Sequence, residues 1–148
     1  MIPASFDSEY ADVQGMDTAQ VLALRIGKSP EAIHASEEQG DLFSVGVPGR
    51  PERLYPRYQM HPCLAGAPLR SLLAQLRGPD GSVLGGAAAH MFFCTSIHEL
   101  AYLTPLQLAA GVATHESPMS DMLSSQPPEE RLRILLAAAR TYADAANV

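Results

Sequence analysis

The apolar positions along this chain keep two spacings over three stretches. They recur at helical intervals from Thr18 to Gln39, alternate from Leu42 to Tyr58, and return to helical intervals from Leu69 onward. Asp17 or Thr18 can cap a helix running to about Arg25, with Val21, Leu22 and Leu24 among its apolar positions. Gly27 breaks it. Ser29 is a favourable N-cap and Pro30 a favourable first helical residue, so a second helix is predicted from Pro30 to Gln39, with Gly40 just past its end. Two short helices joined by a glycine-containing turn form a helix-turn-helix pattern. Leu22, Ile26 and Ile33 fall at inward positions, and Ala23 is small enough to let the helices approach. Lys28 and Ser36 stand where apolar residues are usual.

The alternation over Leu42 to Val47 predicts a strand, and Arg53 to Tyr58 a partner strand. Between them Pro48-Gly49-Arg50-Pro51-Glu52 is turn chemistry, so the expected element is a hairpin, or wing. Pro56 restricts its second strand to an edge or ends it early. Leu69, Leu72, Leu73 and Leu76 then make an amphipathic stripe stopped by Gly78. Pro79-Asp80-Gly81 reads as a turn and Ala87 to Phe93 as a buried helix. Thr104 caps a short helix that begins at Pro105 and closes at Gly111. Val112 to Gln126 reads as irregular. Pro127-Pro128-Glu129-Glu130 opens a last helix, with acids where the dipole favours them and with Leu132, Leu135, Leu136, Ala139 and Tyr142 on one face.

The expected fold is mainly α with a small β-hairpin wing: a helix-turn-helix module followed by a helical domain. The boundaries are an N-terminal arm over 1–16, the helix-turn-helix with its wing over 17–60, and a helical partner-binding domain over 61–148. No 20- to 50-residue repeat is present.

Charge changes this picture at one point. The net charge of −6 is uneven. Eight acids and two bases lie in 1–41, five arginines and two acids in 42–80, and three arginines and six acids in 81–148. A chain that coated nucleic acid would be basic throughout. DNA contact is therefore expected only locally, through the middle segment or an assembled oligomer. The longest apolar run, Val83 to Phe93, is about half of the ~20 residues a membrane span needs. Asp7, Glu9 and Asp12 argue against a secretory signal. Cys63 and Cys94 make no disulfide framework, which places the chain in a reducing cytoplasm.

Candidate chemistry is sparse. Gly85-Gly86 is not a dinucleotide fingerprint, and the only lysine, Lys28, is in no phosphate loop. His61, Cys63, Cys94 and His98 have the residue types of a zinc site, but Pro62 stiffens the first pair and neither pair has the usual spacing. Both cysteines read better as small core residues. A Cys–His nucleophile would lack an orienting acid, and His90 in its apolar run reads as a satisfied core histidine. No catalytic residue, metal or cofactor is expected, and the chain does not read as an enzyme.

For DNA the candidates are Arg50, Arg53 and Arg57 on the wing, interleaved with Tyr55 and Tyr58, and Lys28, Ser29 and His34 on the second helix. Glu31, Glu37 and Glu38 on that helix oppose a phosphate-rich groove. Two readings follow: the N-terminal end of the helix reads DNA, or the helix-turn-helix serves as a protein-binding surface.

Phe92 to Leu106 has a logic of its own. An apolar helix runs into a Thr-Ser turn and re-enters through a capped Thr-Pro helix, an arrangement suited to partner binding. The order Phe92-Phe93, Thr95-Ser96, Leu100, Thr104-Pro105-Leu106-x-Leu108 and Gly111 resembles the toxin-binding domain of the Xre/MbcA/ParS antitoxin family. Arg53-Leu54-Tyr55-Pro56-x-Tyr58-Gln59 is similar to the element that follows the helix-turn-helix in many such proteins. The resemblance covers roughly Thr18 to Gly111. It implies an antitoxin-like protein that binds and neutralises a toxin enzyme, usually an NAD-consuming RES-type toxin, and represses its own operon by binding operator DNA, often as a homodimer. It also implies that Phe92, Phe93, Thr95, Ser96, Leu100, Thr104 and Pro105 serve partner binding. The alternative is an adaptor or decoy that no longer binds DNA.

Overall fold

A computed structural model describes residues 15–76, 85–112 and 116–146. Nearly all of the expected arm, the Gly78 stop and the Pro79–Gly81 turn lie outside the described residues. The rest is mainly helical with a small antiparallel β element.

The first strand, β1 (Met16–Asp17), precedes α1 (Ala19–Ile26) and α2 (Pro30–Glu38). Thr18, rather than Asp17, is the N-cap: its hydroxyl accepts from the Val21 amide at 3.3 Å. Ser29 caps α2 in the same way through the Ala32 amide at 3.2 Å, with Pro30 in the first turn. Gly27 closes α1 at φ +69°, a left-handed conformation that lets α2 turn back on α1. Leu22, Ala23 and Ile33 are buried between the two helices and the rest of the protein.

The wing is smaller than its alternation predicts. Val45 and Leu54 form a single antiparallel bridge, with both backbone bonds made at 2.7 and 2.9 Å. The chain then leaves this partner, and β2 (Tyr55–Pro56) pairs instead with β1, Met16 opposite Pro56 and Asp17 opposite Tyr55. Two effects shorten the hairpin. Pro56 has no N–H to give a second neighbour, and the buried Gln59 amide takes the place of a ladder, accepting from the Phe43 amide at 3.1 Å and donating to its carbonyl at 3.0 Å. Residues Arg57–Met60 form a 3₁₀ turn, so Tyr58 points into the core rather than along a strand.

Three further helices follow in the expected order, α3 (Ala67–Gln75), α4 (Gly86–Cys94) and α5 (Pro105–Ala110), with an unforeseen 3₁₀ turn at His98–Leu100 between the last two. Thr104 and Gln107 form a reciprocal capping box at the start of α5, and Gly111 ends it at φ +69°. A sixth helix, α6 (Pro118–Ser124), occupies the segment expected to be irregular. Its fully buried positions are Ser120 and Ser124, with Leu123 partly buried against the core, so its apolar period is weak, although Ser117-Pro118 repeats the cap chemistry of Thr104-Pro105. The long α7 (Pro128–Ala146) packs against α3 and α5 through a face that includes Leu135, Ala139 and Ala143.

One apolar cluster joins all of this, from Leu22 and Ile33 to Leu135 and Ala139. At its centre Phe93 stacks on Phe43 at 5.8 Å and meets Tyr58 at 5.6 Å and Phe92 at 5.3 Å, while Phe92 reaches Tyr142 at 5.4 Å. No described helix is long and apolar enough to cross a membrane.

Candidate functional site

Two surfaces carry the expected site residues. On the helix-turn-helix side a cleft of about 610 Å³ opens between the starts of α1 and α2 and the wing, lined by residues including Thr18, Gln20, His34, Glu52, Arg53 and Tyr55. It brings together His34 and Arg53 of the expected set. Lys28 is exposed at a separate hollow beside Asp41 and Arg70. The Ser29 hydroxyl is occupied as the α2 cap.

The wing arginines are held by neighbours. Arg50 pairs with Glu52 at 2.5 Å. Arg53 donates through Nε to the Ser44 hydroxyl at 2.6 Å and through Nη2 to the Ser44 carbonyl at 3.1 Å. Arg57 lies 3.2 Å from the carboxylate of Asp17, which is only 5% exposed and also pairs with Arg25 at 2.8 Å. The arginines that looked free in the sequence thus build the fold first. Arg50 is paired within its own turn, whereas Ser44 and Asp17, the partners of Arg53 and Arg57, lie outside the turn and nothing in the local pattern marks them.

The three glutamates of α2 also separate. Glu31 and Glu38 are exposed, but Glu37 turns toward the wing. It accepts from the Tyr55 phenol at 2.6 Å and from the Ser44 hydroxyl. Burial, with the Glu37 carboxylate adding to it, pushes the Tyr55 hydroxyl well above the ordinary phenol range. Glu37 therefore ties α2 to the wing.

The second surface is the turn between α4 and α5. Phe92, Phe93, Leu100 and Pro105, expected at a partner surface, are buried in the core. Burying them anchors the turn, because apolar side chains at both of its ends are withdrawn from water. Thr104 is spent on the α5 cap, and Thr95 and Ser96 are exposed. What the sequence left hidden is the display of Tyr102, 63% exposed, with its ring edge-on to His98 at 5.2 Å. Ala101 and Tyr102 both have left-handed backbones, at φ +53° and +65°. Residues without glycine's freedom pay roughly 1–3 kcal/mol each for such a conformation. Five backbone bonds hold it, among them Tyr102 N–H to the Ile97 carbonyl at 3.0 Å and Ile97 N–H to the Leu103 carbonyl at 3.1 Å.

One cluster of reactive side-chain types lies away from both surfaces. The Tyr58 hydroxyl is 2.7 Å from His90 Nδ1, the two rings stack at 5.7 Å, and Cys94 Sγ is 3.7 Å from the same nitrogen. Burial pushes the Cys94 thiol up and the His90 imidazole down. The thiol is therefore a weak nucleophile at neutral pH. Cys94 packs on the core, whereas Cys63, expected inside, is exposed. Among the described residues no three His, Cys, Asp or Glu side chains converge to hold a metal.

His90 implies a pH dependence of stability. Its imidazole takes a proton less readily in the fold than in the unfolded chain, so stability is present above the unfolded value near 6.5 and is lost as pH falls toward the lowered folded value. The melting temperature should fall between about pH 7.5 and about pH 5.5 by more in the wild type than in His90→Gln, whose amide can still accept from Tyr58. Equal falls would show that His90 does not contribute.

Comparison of the chain with protein-family models, with curated proteins and with solved structures finds no match.

Proposed function

We propose that the protein is a non-catalytic, antitoxin-like adaptor that binds and neutralises a toxin-like enzyme, with the α4–α5 turn as part of its contact surface. The observation that carries this reading is the strained, hydrogen-bonded turn at Ala101 and Tyr102, which displays an aromatic ring to solvent on a rigid base. Strain kept at a surface turn is a mark of function, since a glycine at either position would relieve it. Aromatic anchors held in one conformation before contact also lose little entropy on binding. The turn lies inside the stretch that resembles the toxin-binding domain.

The test is growth rescue. The chain is co-expressed with a toxin-like product of the neighbouring reading frame, and the wild type is expected to restore growth. A neighbouring frame without toxicity, or toxicity the chain does not relieve, would overturn the reading. Within that assay Tyr102→Gly should raise stability by about 1 kcal/mol, by relieving the left-handed backbone, yet weaken rescue. A purely structural turn would show the gain in stability without the loss of rescue.

A second reading, an adaptor that does not bind DNA, has its own support. Arg50, Arg53 and Arg57 are all engaged within the protein, and Glu31 and Glu38 face solvent on α2. A sequence-specific gel shift with the chain's own upstream region at about 0.1 M salt would decide for operator binding, and its absence for the DNA-free adaptor.

A further inference from the structure

The helix-turn-helix pattern departs from itself at Lys28 and Ser36, polar residues at positions where apolar ones are usual. The fold sets both on the lining of one hollow of about 300 Å³, where the end of α1, the inward face of α2 and the turn leading into α3 meet. Ile26, Ile33, Leu42 and Met60 supply its floor. Ile33 and Leu42 belong to the buried core, and Ile26 and Met60 lie half-buried against it. Ser36 follows Ile33 by three residues on the same face of α2, so a leucine or isoleucine there would enter the hollow. A serine is too short to fill it, and its hydroxyl has no hydrogen-bond partner among the described residues.

The charges around the hollow do not cancel. Asp41 and Arg70 form an ion pair with each other at 2.6 Å. Lys28, the only lysine of the chain, is exposed and has no ion pair among the described residues. Glu31, the acid closest to it in sequence, is not part of the lining. Gly66, the N-cap of α3, also lines the hollow, so the positive end of a nine-residue helix adds to the Lys28 charge. An apolar floor under one uncompensated ammonium suits a small molecule with an apolar body and a single negative charge. A neutral molecule gains nothing from the ammonium, and a cation is repelled by it. The volume stands at the lower end of the range for ligand pockets, roughly 300–1,000 Å³, which limits the body to one ring or a short chain.

We infer that this hollow is a binding site for a small monocarboxylate with an apolar body, its carboxylate on Lys28 and its body on Ile33 and Met60, in the space that Ser36 leaves open. The lining comes from α1, α2 and the start of α3, so the bound acid holds the helix-turn-helix against the helical part and stabilises the folded chain. The site lies apart from the α4–α5 turn and does not depend on the adaptor reading.

The probes are sodium phenylacetate, the neutral phenylacetamide and sodium acetate, each added to the full chain at about 10 mM and equal ionic strength. Phenylacetate is expected to raise the melting temperature by about 3 °C or more, and the two controls by less than about 1 °C. Isothermal titration calorimetry should give phenylacetate a Kd of about 1 mM, roughly tenfold or more below that of either control. Lys28→Gln, at an exposed position, should keep the native circular dichroism and bring phenylacetate down to the level of phenylacetamide. Ser36→Leu, which supplies the usual apolar residue, should fold at least as stably and lose phenylacetate binding. No binding of phenylacetate, equal binding of phenylacetate and phenylacetamide, an unchanged preference in Lys28→Gln, or binding that survives in folded Ser36→Leu would each overturn the inference. Should Ser36→Leu not fold, Lys28→Gln decides alone.

Discussion

Phe93→Ala is expected to lower the stability of the protein by about 3–5 kcal/mol, read as a shift of the urea unfolding midpoint with little change in slope. Phe93 is fully buried and touches the Phe43, Tyr58 and Phe92 rings. These come from the segment after α2, from the turn after the wing, and from α4 itself. Truncation removes the ring's transfer free energy and leaves a cavity that three elements border, and these cannot all close on it at once. Against a total of about 5–15 kcal/mol for a typical domain, a loss of this size is a large share of the whole. Phe93→Asp or Leu100→Asp, at positions that the family resemblance gives to partner binding, should leave no folded protein to assay. A loss below about 1 kcal/mol for Phe93→Ala would mean that the aromatic cluster is not the centre of the core.

Asp17→Ala is expected to cost about 2–4 kcal/mol, nearer the lower figure because both arginines keep partial contact with water. Its carboxylate lies between Arg25 of α1 and Arg57 of the turn after β2, at 2.8 and 3.2 Å. Removal leaves two like charges facing one another, one of them through a shielded Arg57 Nε. Asp17→Asn, which keeps the shape and loses the charge, should cost nearly as much. If Asp17→Asn is neutral while Asp17→Ala is costly, packing rather than charge holds β1 in place. Both values are read by urea unfolding at neutral pH.

Much of the local chemistry, acting within a few residues, was legible. Thr18, Ser29 and Thr104 were readable as caps and Gly27 and Gly111 as stops, because a hydroxyl satisfies an amide three residues on and only a left-handed residue closes the helix so tightly. The helix α6 was not read, because its buried positions are Ser120 and Ser124 with only Leu123 beside them, too weak a hydrophobic period to follow. Phe92, Phe93, Leu100 and Pro105 were legible as important, and their burial in the core was not. A sequence motif cannot tell an apolar residue that anchors a surface from one that makes it, because the difference is which side water reaches.

What the sequence determined by itself is the mainly helical architecture and, α6 apart, the order, caps and breaks of its helices, since these depend on spacings of three and four residues. What only the tertiary structure decided is where each charge and each aromatic goes. Asp17 meets Arg57, Ser44 meets Arg53, and Tyr55 meets Glu37 across gaps of many residues, so arginines that read as DNA contacts became ties within the fold. The same closure pinned Ala101 and Tyr102 in a left-handed turn and set Lys28 and Ser36 around one hollow. These placements follow from how segments distant along the chain bury a common core, and no local pattern encodes them.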